Sequence, residues 1–182
     1  MHIFTIEKLN FYEKNIDGSG YCHLGVTAHA QDWKTIALID KVTISMPGTP
    51  TEDKSKGIPM QKVVLSDSSE INAGIVDYSA FGLDEEKLQA MAGTEDFKQQ
   101  MKGEVSAQPG ITVIKNESGK YADKYYTLDI AFERDANGKK FTVYTRLIFF
   151  KQYSINIGYM PGIKGENQEL KNKVLNGVKI AE

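Results

Sequence analysis

The segment from Tyr125 to Phe150 restricts the fold most, because two long runs of alternating residues flank the dipeptide Asn137-Gly138. Asn-Gly favours a two-residue type I′ turn, since both central residues of that turn need positive φ. Such a loop pairs Ala136 with Lys139 and sets the register of the whole hairpin. Four cross-strand pairs then share one face: Phe132 with Val143, Ile130 with Thr145, Leu128 with Leu147, and Tyr126 with Phe149.

On the other face of this hairpin, Asp129 is placed opposite Arg146. An opposite-charge cross-strand pair stabilises a sheet by about 0.2–1 kcal/mol. A slip of one residue would move Leu128 and Ile130 to the charged face, so the alternation predicts a single register. The pair has two interpretations, a structural ion pair or a polar site on the sheet, and structural ion pairs are the commoner of the two.

A third strand is predicted at Tyr153–Tyr159, where tyrosine and isoleucine alternate with small polar residues. A two-residue turn at Lys151-Gln152 would put its apolar residues on the Arg146 face, and a three-residue loop would put them on the Leu147 face. Neither turn residue favours positive φ, so we expect the longer loop. The middle strand is apolar on both sides from Val143 to Phe150, and such a strand needs cover on both faces.

Further strands are predicted on the N-terminal side. Ile36 to Met46 alternates as a strand with a local break at Asp40-Lys41, and the prolines that follow end it. The polar run Thr51 to Gly57 indicates an exposed loop. Met60 to Leu65 and Ile71 to Tyr78 then form a predicted hairpin.

The helices are predicted from their capping residues. Asp84 is a good N-cap, and Thr94 can cap a second stretch, so we expect one kinked helix or two consecutive ones. A strand follows at Ile111 to Lys115. A C-terminal helix is predicted from about Gly165 to Asn176, with a short final strand at Val178 to Ile180.

Length and charge exclude several classes of function. The chain has 182 residues, enough for one domain that folds without disulfides or metals. The formal net charge of −2 gives no reason to expect a nucleic acid as partner. Arginine occurs only at Arg134 and Arg146, so bidentate recognition of phosphate has few donors. No stretch of about 18 apolar residues exists, which argues against a transmembrane helix. The oligomeric state stays open.

The N-terminal segment has features of an export signal. Ala28-His29-Ala30 matches the small-residue site where a secretory leader is cut, although the preceding residues are a poor apolar core. Residues 1–30 are therefore interpreted as a degraded signal segment or as a polar extension in which the match is coincidental. Residues 31–182 are predicted to form a single α+β domain. The export interpretation places the protein in the periplasm or outside the cell, and the alternative is the cytoplasm.

The sequence offers little for catalysis. Cys22-His23 with His29 suggests a thiol nucleophile or a metal site, but the remaining histidine is His2 and a metal needs further ligands. No nucleophile elbow, zinc-binding motif, P-loop or dinucleotide-binding motif is present. We therefore predict no catalytic, cofactor-binding or metal-binding residues, and no cofactor.

Three weaker candidates for a binding site remain. One is a set of tyrosines able to line a groove, although sheet tyrosines with a wet hydroxyl are commoner: Tyr121, Tyr125, Tyr126, Tyr144, Tyr153 and Tyr159. The second is the loop from Met160 to Asn167, which also has the composition of an ordinary strand-to-helix connection. The third is Asn116-Glu117-Ser118, which matches the pattern for N-glycosylation.

The segment from Val42 to Pro50 resembles the opening strand and P-G-x-P turn of small exported bacterial proteins with a PsbP-like fold. A strand pair with Thr145-Arg146 and Phe149, a next strand that ends in Gly158, and a terminal helix add to the similarity. The resemblance spans roughly residues 33–180, and its motifs are short. It implies an αβα sandwich, an antiparallel sheet covered by helices on both faces, and an accessory or binding role in place of catalysis.

These observations favour an exported, non-enzymatic accessory or binding domain. Its partner would be a protein or a small molecule, bound through loops at the edge of the sheet. One alternative is a hydrolase whose site matches no motif and uses Asp77, Asp129 or a tyrosine. Another is a structural subunit that pairs with a partner through a sheet edge.

Overall fold

A computed structural model describes residues 32–54, 58–136 and 139–181, which form two antiparallel sheets and three helices. The strands are β1 (Trp33–Ile39), β2 (Val42–Pro47), β3 (Thr51–Asp53), β4 (Met60–Val64), β5 (Glu70–Asp77), β6 (Ile111–Tyr121), β7 (Tyr125–Ala136), β8 (Lys139–Phe150), β9 (Tyr153–Met160) and β10 (Val178–Ile180). The helices are α1 (Glu85–Ala92), α2 (Glu95–Ser106) and α3 (Gln168–Leu175), and a 3-10 turn spans Tyr78–Phe81. The large sheet has the order β3-β4-β5-β9-β8-β7-β6, and the small sheet has the order β1-β2-β10.

The predicted register of the long hairpin is confirmed. β7 and β8 pair with Leu128 opposite Leu147, Asp129 opposite Arg146, and the end residues of the two strands opposite each other. Asn137-Gly138, the turn on which the prediction depends, lies outside the described residues. The two-residue separation of the paired strand ends nevertheless agrees with it.

Two consecutive helices form because each has its own N-cap. The Asp84 side chain accepts a hydrogen bond from the backbone N–H of Lys87, and the Thr94 hydroxyl accepts one from the N–H of Phe97. A cap of this kind stabilises a helix by about 1 kcal/mol. None of the described helices is long and apolar enough to cross a membrane.

α1 and α2 cover one face of the large sheet. This face, called the helix-side face below, carries Leu147 and Phe149, and Leu88 of α1 is fully buried in the same core. The rings of Phe97 and Phe149 meet edge to face, with centroids 5.4 Å apart. The first core therefore has the apolar, closed character that the alternation of β7 and β8 predicts.

The opposite face, called the second face, carries Arg146, Ile148 and Ile157. Its cover is the small sheet together with α3, which contribute the fully buried Ile44 and Val174. The predicted class, an α+β fold with an antiparallel sheet covered on both faces, is confirmed. The second cover contains three strands as well as a helix.

The small sheet arises from a hairpin near the N-terminal end of the described chain. The predicted break at Asp40-Lys41 is the turn of this hairpin, and Lys41 has a left-handed φ of 66°. β1 and β2 pair antiparallel with Ile36 opposite Ile44. The predicted final strand β10 pairs with the other side of β2, with Val178 also opposite Ile44.

The predicted three-residue loop between β8 and β9 is wrong. Phe150 pairs with Tyr153 across a two-residue turn at Lys151-Gln152. The first turn residue has a φ of 52°, a left-handed conformation that costs a non-glycine residue about 1–2 kcal/mol. This register fully buries Ile155 and Ile157 on the second face, and each such burial stabilises by about 1.5–3 kcal/mol. Packing therefore outweighs the local strain of the turn.

β6 is longer than predicted, since it continues past Lys115 to Tyr121. A shift of register between Val113 and Lys115 marks a β-bulge. A bulge interrupts the two-residue period of a strand. Because polar residues follow it, the alternation on which the sequence prediction rests ends at the bulge while the strand itself goes on.

Two other boundaries also differ from the prediction. Part of the predicted loop Thr51 to Gly57 forms the short strand β3, which pairs with β4. α3 begins three residues after Gly165, because the Asn167 side chain accepts a hydrogen bond from the N–H of Leu170 at 3.0 Å and caps the helix there.

Candidate functional site

A pocket of about 400 Å³ opens on the second face, on the side of the large sheet formed by β6 and β7. The cover of that face lies elsewhere, since β1 contacts β5 and α3 contacts β9. The lining residues come from β6, β7, β8, the β6–β7 turn and the end of α3: Glu117, Ser118, Gly119, Lys120, Tyr121, Ala122, Thr127, Asp129, Arg146 and Asn176. The pocket thus marks the border of the second cover.

The wall of the pocket is the predicted cross-strand ion pair. Arg146 Nε donates to Asp129 Oδ1 at 2.7 Å, and Nη2 donates to Oδ2 at 2.6 Å. Both side chains are partly buried, so solvent screens the pair less than it screens a fully exposed one. The hydrogen bonds from the guanidinium to Asp129 raise the pKa of Arg146, against the opposing effect of burial.

Arg146 also ties the sheet to α3. Its Nη1 donates to Asn176 Oδ1 at 2.6 Å and to the carbonyl oxygen of Leu175 at 3.4 Å. The last carbonyls of a helix lack intrahelical partners, and the helix dipole favours a cation there. With these bonds and those to Asp129, the guanidinium makes four hydrogen bonds, although it has five N–H donors. It is therefore a structural wall of the pocket and not a free site for an anion.

The floor of the pocket lies beside Gly119. A Cβ atom at this position would come within 3.1 Å of Thr127 Oγ1. The absence of a side chain at Gly119 therefore leaves space in the pocket beside Thr127. Tyr121 closes one end of the pocket, and its hydroxyl donates to the carbonyl oxygen of Val178 at 2.8 Å. The site therefore offers one aromatic ring among polar groups.

The charges around the pocket balance. Its lining contains two carboxylates, Glu117 and Asp129, and Asp129 is paired with Arg146. Lys120 also borders the pocket, but its ammonium lies over the Tyr126 ring on the helix-side face. Glu117 also pairs with Lys115 at 2.9 Å. Such a lining suits neutral, hydrogen-bonding groups better than a strongly charged ligand. Within the described ranges, no group of three or more His, Cys, Asp and Glu side chains is placed to hold a metal ion.

The structure separates the residues suggested for hydrolysis. Asp129 lies in the pocket, whereas Asp77 caps the 3-10 turn by accepting a hydrogen bond from the N–H of Ser79 at 2.9 Å. Tyr78 is buried in the helix-side core, and this burial raises the pKa of its hydroxyl to about 12. Cys22 and all three histidines lie outside the described residues.

The predicted tyrosine groove does not form as one cluster. Tyr126 packs against the helix-side core, while the other five tyrosines belong to the second core. Of the six, Tyr121 lines the pocket. Tyr144 and Tyr159 stack with centroids 6.3 Å apart. The tyrosines are mainly packing residues of the sheet.

The loop from Met160 to Asn167 is braced against the second face. The Tyr144 hydroxyl and Lys171 Nζ both donate to the carboxylate of Glu166, and the Lys171 ammonium lies 4.1 Å from the centroid of the Tyr144 ring. Burial, together with the bond to Glu166, raises the pKa of Tyr144 to about 12. Partial burial opposes the ionisation of Glu166, but its two donors outweigh this effect and lower its pKa. These groups hold the loop in place.

The remaining candidate, Asn116-Glu117-Ser118, lies in the middle of β6. Asn116 Nδ2 donates to the carbonyl oxygen of Lys98 in α2 at 3.1 Å, so this amide is used in packing and does not suit a glycosylation acceptor. The Glu117 position was missed as a pocket residue because β6 was predicted to end before it. Alternate residues of β6, namely Glu117, Gly119 and Tyr121, lie on the same face as Asp129 of β7. This two-residue spacing is the sequence signal that could have placed Glu117 in the pocket.

Comparison with known proteins finds solved structures that resemble this chain in fold, but no match by sequence. No protein-family model matches the sequence, and no curated protein matches it. The solution structure of cyanobacterial PsbP (CyanoP) from Synechocystis superposes with a TM-score of 0.57 and 8% identity, over 89% of this chain and 98% of that one.

Two further structures are less similar. LpqN of Mycobacterium tuberculosis, a protein involved in cell envelope biogenesis, has a TM-score of 0.41 and 11% identity, over 85% of this chain and 87% of that one. A Pseudomonas aeruginosa protein of unknown function has a TM-score of 0.42 and 9% identity, over 78% of this chain and 88% of that one. The topology, the two covered faces and the superposition with CyanoP agree with the resemblance seen in the sequence: this chain has a PsbP-like fold.

Proposed function

We propose that this domain is an exported, non-enzymatic accessory module that binds a small polar ligand, or a polar loop of a partner protein, in the pocket beside Asp129 and Arg146. The observation that carries the proposal is the pocket itself. Its volume of about 400 Å³ falls within the usual range of small-molecule sites, roughly 300–1,000 Å³. It lies at the edge of the sheet, beside the β6–β7 turn and the end of α3.

The chemistry of the pocket favours binding. The hydroxyl of Thr127, the carboxylate of Glu117 and the lone pairs of Asp129 that Arg146 does not engage are among the hydrogen-bonding groups that line it, and Tyr121 adds an aromatic surface. The Arg146 guanidinium is already neutralised by Asp129. A ligand with hydroxyl or amide groups, and without strong charge, fits this arrangement.

The same groups argue against hydrolysis. The three histidines and the cysteine all precede residue 31, so residues 31–182 contain no imidazole or thiol. Asp129 is held in a bidentate ion pair that engages both of its oxygens, so neither oxygen is free of Arg146 to act as a general base. Activity profiling with a broad set of ester and amide substrates tests this point. An activity that disappears in Asp129→Ala and persists in Asp77→Ala would overturn the non-enzymatic assignment.

Ligand binding is tested by filling the pocket. Gly119→Val places a branched side chain over the floor; valine suits a strand, but its Cβ would lie 3.1 Å from Thr127 Oγ1, so the Thr127 side chain must move by a few tenths of an ångström. Two-dimensional NMR of the wild-type protein is recorded with mixtures of neutral polyols, amino acids and small carboxylic acids. We expect at least one mixture to shift the backbone amide signals of Gly119 and Thr127, and Gly119→Val to abolish the shifts.

Gly103→Ala is the matched control, since a Cβ at that glycine meets no atom within 4 Å. It should keep the wild-type response. A wild-type protein that responds to none of the mixtures, or that responds equally after Gly119→Val, contradicts the proposed site.

Export has its own test. The motif Ala28-His29-Ala30 supports it, and the mass of the mature protein from its native host decides it. We expect cleavage after Ala30. An intact N-terminus on a protein that fractionates with the cytoplasm would overturn this part of the proposal.

A further inference from the structure

β6 forms one edge of the large sheet and runs for 11 residues. Among residues 32–54, 58–136 and 139–181, no strand pairs with its outer side. The strand at the opposite edge, β3, has 3 residues. A long edge strand presents a row of unpaired backbone N–H and C=O groups, which is a template for pairing with another strand.

Edge strands in monomeric proteins are usually protected by charges and bulges. The bulge of β6 lies between Val113 and Lys115, so the strand is regular against β7 from there to Tyr121. The charge at Lys115 is matched by Glu117 two residues later, with the ammonium and carboxylate 2.9 Å apart and both side chains exposed. The edge thus carries a positive and a negative side chain next to each other. A partner strand with the opposite order of charges would be attracted to it and not repelled.

We propose that β6 pairs antiparallel with β6 of a second copy of this chain, about a two-fold axis at Asn116. This inference goes beyond the proposed ligand site and does not depend on it. A two-fold axis perpendicular to the sheet keeps equivalent faces together, so residues of the two copies that oppose each other share a face. This condition leaves few registers.

The charges select among these registers. An axis at Lys115 opposes this lysine to its own copy, and an axis at Glu117 opposes two glutamates. An axis at Asn116 places each Lys115 opposite Glu117 of the other copy, twice in the interface. Directly opposed like charges destabilise a strand pair, and opposite charges stabilise it. The four side chains then alternate in sign on the second face.

The same register gives cover to an exposed apolar side chain. Ile114 is 53% exposed in the bulge. With the axis at Asn116, Ile114 lies opposite Ser118 of the second copy, so the two-fold pair places a neighbour beside it. The opposed charges and the placement of Ile114 therefore point to one arrangement.

The experiment measures the oligomeric state of the full chain by sedimentation velocity over a range of concentrations. We expect the wild type to dimerise. Lys115→Glu alone opposes two pairs of glutamates, and Glu117→Lys alone opposes two pairs of lysines, so each variant should weaken the dimer at least tenfold. Mixing the two single variants should restore association, because every opposed pair is then of opposite sign. The double variant K115E/E117K should also dimerise.

Lys120→Glu is the control, since Lys120 points to the helix-side face and lies over the Tyr126 ring. It should leave the dimer unchanged, and circular dichroism confirms that each variant is folded. A wild type that stays monomeric at all concentrations overturns the proposal. So does a dimer that tolerates both single exchanges, or a pair of single variants that fails to associate on mixing.

Discussion

The two faces of the large sheet treat polar groups in opposite ways. On the helix-side face, three buried side-chain oxygens accept no hydrogen bond from the described residues: Glu104 Oε2, Asn116 Oδ1 and Asn156 Oδ1. On the second face, the polar groups form satisfied networks. Arg146 joins Asp129 to the end of α3, and Glu166 receives bonds from Tyr144 and Lys171.

This difference follows from how each face is covered. Two helices cover the helix-side face over β6, β7 and β8, and a polar atom enclosed there depends on the few donors nearby. The small sheet and α3 leave β6 open on the second face, so polar groups at that border keep access to water and to each other. Burial without a partner costs roughly 1–3 kcal/mol, whereas a paired group at the border avoids that cost. The border is accordingly where a binding site is compatible with a stable fold.

The largest effects should come from truncating the two cores, and they test whether both faces are equally closed. Leu147 and Ile148 are adjacent on β8, point to opposite faces, and are each at most 2% exposed. Leu147→Ala and Ile148→Ala should each lower the free energy of unfolding by about 2–5 kcal/mol, measured in urea. A cost below about 1 kcal/mol for Ile148→Ala would mean that the small sheet covers its face loosely, and the comparison would fail.

The next effect concerns the ion pair of Asp129 and Arg146, which forms the wall of the pocket. A double-mutant cycle with Asp129→Ala and Arg146→Ala should give a coupling free energy of about 0.5–3 kcal/mol, because the two side chains share two short hydrogen bonds. Urea unfolding of the four proteins measures it. A control cycle with Glu133→Ala and Lys140→Ala, an exposed pair across the same two strands, should give less than about 1 kcal/mol. Equal couplings would show that Asp129 and Arg146 behave as an ordinary surface pair.

How far the sequence predicts these features depends on how local their causes are. The register of β7 and β8 was predictable, because an Asn-Gly turn and a two-residue alternation both act over neighbouring residues. The opposition of Asp129 and Arg146 follows from that register. The turn at Lys151-Gln152 was mispredicted, because the burial of β9 against β5 and β8 decides it and neither contact is local.

The pocket was predictable only in part. Its ion pair could be located, but the third partner, Asn176, reaches Arg146 only when α3 docks on the second face. α3 packs beside the small sheet, and the β1–β2 hairpin of that sheet turns at Asp40-Lys41. From the sequence, these two residues were predicted only as a local break within one strand. The bulge in β6 hides the rest of the lining, since it ends the alternation before Glu117 and Gly119.

A smaller effect tests the satisfied network of the second face. The donors Lys171 and Tyr144 outweigh partial burial and lower the pKa of Glu166, so this carboxylate stabilises the fold in its ionised form. Glu166→Gln should cost about 0.2–1 kcal/mol at neutral pH. The cost should disappear as the pH falls below the usual pKa of a glutamate, about 4.3, because wild type then loses the same charge. Thermal unfolding of both proteins against pH measures the difference, and a constant offset at every pH would contradict the assignment.

The smallest effect has the opposite sign and belongs to the helix-side face. Burial raises the pKa of Glu104, although Gln100 Nε2 donates to its Oε1 at 2.9 Å. Below the unfolded pKa the carboxyl is protonated in both states and costs nothing. As the pH rises through the folded pKa, the ionised group destabilises the fold. Glu104→Gln keeps an acceptor for Gln100 and removes the charge. It should therefore match wild type in acid and exceed its stability at neutral pH by a few tenths of a kcal/mol, after allowance for screening of a partly exposed group.

The control for this prediction is Glu95→Gln, at the start of the same helix. Hydrogen bonds from Lys98 and Gln99 lower the pKa of Glu95, so its ionised form stabilises the fold. As the pH rises, Glu95→Gln should therefore become less stable than wild type, whereas Glu104→Gln should become more stable than wild type. The midpoint of thermal unfolding, followed for wild type and both variants from acid to neutral pH, measures the two trends. If Glu104→Gln and Glu95→Gln changed in the same direction, the helix-side face would not penalise an ionised carboxylate. The two faces would then differ in how their polar atoms are hydrogen-bonded, but not in how they affect the stability of a charged side chain.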